Sequence, residues 1–67
     1  MVNTQYLEER IEKSGLKKSY LAEKCKCTRQ YLTMKIRNQA EFKVNDVKAL
    51  RKELKLTDTE VMRIFFN

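Results

Sequence analysis

The chain has 67 residues, 15 of them basic and nine acidic, for a net charge of +6. A chain this short makes one small domain, and a domain of this size buries only about 60% of the surface its unfolded chain exposes. No apolar run approaches the roughly 18 residues of a membrane-spanning helix, and the opening "MVNTQYLEER" is polar and acidic where a secretory leader is apolar.

A cytoplasmic location is therefore the expectation, with no membrane partner. Two cysteines in a reducing compartment do not make a disulfide framework. Pro is absent, Gly occurs once, and Leu, Lys, Glu, Arg and Ala dominate, which favours helix. No stretch shows sustained period-2 alternation of β-branched residues, so no strand is predicted. The expected fold class is all-α, with five short helices in a single domain over residues 1–67.

The first helix is predicted over 3–14. Tyr6, Leu7 and Ile11 share one face, Asn3 or Thr4 caps the start, and Gly15 accepts the left-handed conformation that ends a helix. Glu9 and Lys13 have the spacing of a favourable i, i+4 pair, and Glu8, Glu9 and Glu12 read as a solvated face. The second helix spans 17–25, with Leu21 and Cys25 inward and a small Ala22 that lets another helix approach. Only Lys26 and Cys27 separate it from the third, over 28–37, which Thr28 caps and whose inward pair is Leu32 and Ile36.

Residues 38–43 form a loop with Phe42 as its buried anchor. In 44–55, Val44, Val47, Leu50 and Leu54 fall on one face of a fourth helix. Thr57 with Glu60 fits a capping box that opens a fifth helix, from which Val61, Ile64 and Phe65 face inward.

The charge is concentrated. From Lys13 to Arg37 there are eight basic residues against Glu23 alone, a surplus of seven, while the rest of the chain carries seven basic and eight acidic residues. Such a localised excess is the electrostatic footprint of a nucleic-acid binder, although a solvated basic face has the same composition. Enzyme chemistry has no foothold: there is no histidine, no nucleophile–base pair and no glycine-rich phosphate loop. RNA binding lacks an aromatic stacking platform. Cys25 and Cys27 suggest a metal, but zinc normally takes four ligands and this chain has two Cys and no His. A disulfide between residues i and i+2 strains the geometry. Both cysteines sit where the pattern wants an apolar residue, so they read as small hydrophobes, with no metal and no cofactor expected.

Two short helices across a tight turn, with Ala22 in the first and Cys27, Leu32 and Ile36 inward around the second, have the pattern of a helix-turn-helix. The segment "GLKKSYLAEKCKCTRQYLTMKIRN" resembles the helix-turn-helix of the lambda-repressor-like (XRE) superfamily, whose pattern runs roughly G-L-T-Q-x-x-L-A-x-x-L-G-V-S-x-x-x-I-S. The matching positions are Gly15, Leu16, Leu21, Ala22, Cys25, Cys27, Thr28 and Leu32. The remainder, "EFKVNDVKALRKELKLTDTEVMRIFFN", is similar to the end of small Cro-like and repressor-like regulators of Gram-positive phages and prophages. Two positions depart from the pattern. The turn glycine is Lys26, and a side chain in the left-handed conformation costs roughly 1–2 kcal/mol, so this turn is either strained or shaped differently. The glutamine that often touches the DNA backbone is Lys18.

The resemblance implies a sequence-specific regulator of transcription that binds a double-stranded DNA operator with helix 28–37 in the major groove. Arg29 suits the O6 and N7 acceptors of guanine, Gln30 suits adenine, and Thr33 and Met34 offer methyl groups to thymine. Lys17 and Lys18, at the start of the second helix, are candidates for phosphate, as are Thr28, Tyr31, Arg37, Asn38 and Lys43. Tyr31 has two readings, packing on the turn or placing its hydroxyl on a phosphate. A homodimer is expected on DNA, with Met62 and Phe66 as candidates for its contact, or Phe66 folding back over the core. The competing function is a protein-binding phage module, an antirepressor or inhibitor, that uses the aromatic end at Phe65 and Phe66.

Overall fold

All the helices but the second, whose start at Lys17 has no side-chain cap, begin where a specific backbone requirement is met. The computed structural model describes residues 1–66: α1 (Thr4–Ser14), α2 (Lys18–Lys24), α3 (Arg29–Ile36), α4 (Val44–Leu54) and α5 (Asp58–Phe65), with no strand among the described residues. Asn3, Thr28 and Thr57 cap α1, α3 and α5 by accepting from the backbone N–H of Tyr6, Tyr31 and Glu60. Glu60 returns the bond to the Thr57 N–H at 3.0 Å, which closes the capping box. The helix α4 is started differently. Lysine has no acceptor, so Lys43 cannot cap with its side chain, and Asp46 instead accepts the Lys43 N–H at 2.9 Å.

The helix ends answer the question the missing turn glycine poses. The turn after α2 keeps the left-handed shape, with Lys26 at φ 57°. The Lys26 N–H donates to the Glu23 carbonyl at 3.1 Å and the Cys27 N–H to that of Ala22 at 3.0 Å, which together form a Schellman motif. The same two-bond closure recurs at Asn38 (φ 62°) after α3 and at Lys55 (φ 54°) after α4. Gly15 takes the corresponding position after α1 at φ 72°. Three of four left-handed caps thus carry a side chain, and satisfying the last carbonyls outweighs the steric cost of each.

The core is formed by Leu7 and Ile11 of α1, Leu21 and Ala22 of α2, Leu32 and Ile36 of α3, Leu50 and Leu54 of α4, Leu56, and Val61 and Ile64 of α5. The helices α1, α3, α4 and α5 each contribute an i, i+3 or i+4 pair and α2 the adjacent Leu21 and Ala22, at about 1.5–3 kcal/mol for each large apolar side chain removed from water. The helix α2 packs on both α3 and α4, and α1 lies against α3, α4 and α5. The N-terminal residues are bound to two helix ends. The Asn3 N–H donates to the Ile64 carbonyl at 2.7 Å, and the Thr4 hydroxyl donates to that of Ile36 at 2.6 Å.

The inward sets are borne out with two corrections. Val44 is 70% exposed rather than inward. It is the first residue of α4, and the buried stripe of that helix begins with Asp46 and Val47 instead. Phe42 is half-buried, not enclosed: its ring meets that of Phe65 edge to face at 5.2 Å. The pair expected between Glu9 and Lys13 is also absent. Among the described residues the ion pairs are Arg10–Glu60, Lys18–Glu8, Lys35–Asp46 and Arg51–Asp58. None of the described helices is long and apolar enough to cross a membrane.

Candidate nucleic-acid interface

The helix α3 has an inner row of Leu32, Lys35 and Ile36, which leaves Arg29, Gln30 and Tyr31 exposed in its first turn. Thr28 sits just before them, and its hydroxyl oxygen accepts the Tyr31 N–H at 3.0 Å. That bond fixes the first turn and with it the directions of Arg29 and Gln30. Thr33 and Met34 are half-buried. The Thr33 hydroxyl donates to the Arg29 carbonyl at 3.0 Å, which uses its one donor and leaves its oxygen as an acceptor and its methyl group for an apolar contact such as thymine's.

The cationic surface is smaller than the composition suggests. Lys35 is buried, with its ammonium 2.5 Å from Asp46 Oδ2. Burial disfavours its charge, but the Asp46 hydrogen bond and charge more than compensate, and its pKa lies above the ordinary lysine value. Lys18 is half-buried and lies 2.9 Å from Glu8 Oε1, so its reach to a phosphate competes with an internal partner. Removing these two from the eight basic residues of the block leaves Lys13, Lys17, Lys24, Lys26, Arg29 and Arg37, opposed by Glu23 alone. All six are exposed and form no ion pair among the described residues, a surplus of five charges over residues 13–37, while Glu9 and Glu12 are exposed earlier on α1. Lys43 is exposed as well, at the start of α4.

Asn38 is placed otherwise than expected. Its side-chain oxygen accepts the Val2 N–H at 2.8 Å, and its amide donates to the Val2 carbonyl at 3.0 Å and to the Thr4 hydroxyl at 3.3 Å. The side chain acts as a surrogate strand partner that holds the N-terminus, which removes it from the set of phosphate contacts.

Tyr31 is 44% exposed, and the Lys35 ammonium lies 4.8 Å from its ring centroid. Tyr20 is similarly dressed by Lys24 at 5.3 Å, while its hydroxyl donates to Glu53 at 2.8 Å and ties α2 to α4. That hydrogen bond to a carboxylate pushes the Tyr20 pKa up.

Cys25 and Cys27 are free and half-buried, packed against the core. Burial pushes the Cys25 thiol up to about 11, so at neutral pH it is a protonated apolar group rather than a thiolate ligand. No cluster of three or more His, Cys, Asp or Glu among the described residues could hold a metal ion.

A second surface was legible in the sequence only at its aromatic end, Phe65 and Phe66; its other wall was not. A groove of about 640 Å3 is lined by Val2, Phe42, Val44, Val47, Phe65 and Phe66, among others. Val44, 70% exposed, and the half-buried Phe42 are both part of its wall. Phe66 is 63% exposed and lines this groove; Met62 is 57% exposed and does not line it, so the two residues paired as a dimer contact present different environments. The Lys35–Asp46 pair was also missed. Its signal was present: Lys35 lies three residues after Leu32, on the inner face, and Asp46 lies where an acid caps the helix that starts after Lys43.

No family model, curated protein or solved structure matches the chain. The functional reading therefore stands on the chain's own residues.

Proposed function

We propose that this protein is a sequence-specific double-stranded DNA-binding regulator of transcription, of the small repressor or Cro kind, in which α2 and α3 form a helix-turn-helix. The helix α3 enters the major groove. Arg29 and Gln30 read base edges, Thr33 and Met34 supply methyl contacts, and Lys17, Lys18, Thr28, Tyr31, Arg37 and Lys43 meet phosphates. The observation that carries this reading is the coincidence of an exposed Arg29–Gln30 pair, on the capped first turn of α3, with the surplus of unpaired cations over residues 13–37 around it. Neither feature is specific alone; a solvated helix face has no reason to gather both.

Selection of bound sites from random duplex DNA tests it and should return a motif. With about four or five phosphates neutralised by each protomer, log affinity should fall against log salt with a slope of about −4 per protomer. A slope near zero, or no enrichment, refutes the reading. One observation favours a second reading, a protein-binding module: the apolar groove beside Phe65 and Phe66. On that reading no duplex is selected, and substitutions at Phe66 rather than Arg29 abolish function.

A further inference from the structure

We propose that Lys35 is a positioning residue for DNA recognition: its ammonium, neutralised by Asp46, lies against the face of the Tyr31 ring and holds that side chain at the edge of the reading surface. The inference rests on the DNA-binding reading and names a part of its machinery. Lys35 and Asp46 are 4% and 5% exposed, so the pair stands almost wholly out of water. Replacing such a pair by apolar residues of similar volume is often neutral or stabilising. Stability therefore does not explain why α3 spends an inner-row position on lysine between Leu32 and Ile36.

Geometry does. Asp46 Oδ2 takes both the Lys35 ammonium at 2.5 Å and the Lys43 N–H at 2.9 Å, which locks α3 to the start of α4. From that fixed point the ammonium lies 4.8 Å from the centroid of Tyr31, one helical turn earlier. A desolvated cation binds an aromatic face more strongly than a solvated one. An exposed tyrosine on a helix otherwise exchanges among rotamers; here one rotamer keeps the ring on the cation. Tyr31 directly follows Arg29 and Gln30, and its N–H closes the Thr28 cap. The pair Lys35–Asp46 thereby sets both the roll of α3 and the direction of the one aromatic side chain in its first turn, without itself touching DNA.

The test combines a DNA-free measurement with binding. In the free protein, NMR should show the Lys35 side-chain protons shifted upfield by the Tyr31 ring, and Tyr31→Leu should abolish that shift. The variant Lys35→Met with Asp46→Asn keeps an acceptor for the Lys43 N–H and leaves no buried charge. It should fold and lose about tenfold in affinity for the selected site. Its salt slope should stay unchanged, because neither Lys35 nor the uncharged Tyr31 neutralises a phosphate, and its loss on random duplex should match that of Tyr31→Leu. Tyr31→Leu should lose the same factor, and the combination should lose no more than either. Lys35→Arg, which keeps a cation in place, should retain most of the specific affinity. If the double variant unfolds, Lys35→Gln, whose amide still donates to Asp46, takes its place. If the selected site is bound unchanged, or if the losses of the double variant and of Tyr31→Leu add up when combined, positioning is refuted while DNA binding stands. If the wild-type protein selects no duplex, the DNA reading falls and the positioning role falls with it.

Discussion

Lys26→Gly should stabilise the protein, although glycine in the interior of a helix or strand weakens it. Lys26 holds φ 57°, is exposed and forms no ion pair among the described residues, so its removal gives up no folded-state contact of weight. The left-handed backbone costs a residue with a Cβ about 1–2 kcal/mol, all of which glycine recovers. Against this, glycine gives the unfolded chain more freedom, worth about 0.5–1 kcal/mol. The difference is a net gain of about 0.5–1 kcal/mol, which in a domain of this size raises Tm by about 2–8 °C. Lys26→Ala separates the terms, since alanine loses the same lysine side chain but keeps the strain. Thermal and urea unfolding of the two variants beside the wild type gives the numbers. Lys24→Gly, in the last turn of α2 with ordinary helical geometry, should lose about 1 kcal/mol and serves as the opposite control. If Lys26→Gly is no more stable than Lys26→Ala, the turn is not strained and the Schellman geometry assigned to it is wrong.

Three further outcomes are expected. Arg29→Ala or Gln30→Ala should cost about 1–3 kcal/mol at one base pair and relax the choice there, whereas Lys17→Ala should weaken all duplexes alike; equal losses on specific and random DNA in a gel-shift titration would reverse those roles. Stability should fall as pH rises from about 9 to about 11, because the unfolded Cys25 thiol ionises near its ordinary value while the folded one holds its proton to about 11, and the unfolded Lys35 loses its charge before the folded one. Cys25→Val should flatten part of that decline in a pH series of urea melts, and an unchanged profile would mean the thiol is not buried against the core. Met62→Asp with Phe66→Asp should stay folded, because both side chains are more than half exposed, and should sediment as a monomer and lose cooperative binding to a two-half-site operator; unfolding of this variant would make Phe66 core.

The helix boundaries were legible because each is written locally. Asn3, Thr28, Thr57 with Glu60, and Gly15 act on residues two to four positions away, so a reader of the chain needs nothing beyond it. The buried rows of α1, α3 and α5 were legible for the same reason: Leu7–Ile11, Leu32–Ile36 and Val61–Ile64 repeat at the helical period, and a period is a property of the sequence. The block of charge and the outward Arg29 and Gln30 follow from those rows by exclusion.

What the tertiary structure decided was the fate of groups whose partners lie far along the chain. Lys35 meets Asp46 eleven residues on, Asn38 meets Val2 thirty-six residues back, and Lys18 meets Glu8 ten residues back. Each of these was read as a free polar group because nothing within one helical turn contradicts that reading. Val44 shows the same limit for an apolar side chain. Periodicity puts it on the stripe of Val47, Leu50 and Leu54, but a helix's first turn can overrun the element it packs on, and there the stripe faces water. The sequence by itself determined which helices form and which rows they bury, because hydrogen bonds along a helix and the 3.6-residue period are short-range. Only the packing of the helices on one another determined which cations remain free to meet a polyanion, because a charge is cancelled by whatever carboxylate the fold brings within about 4 Å, at any separation in sequence.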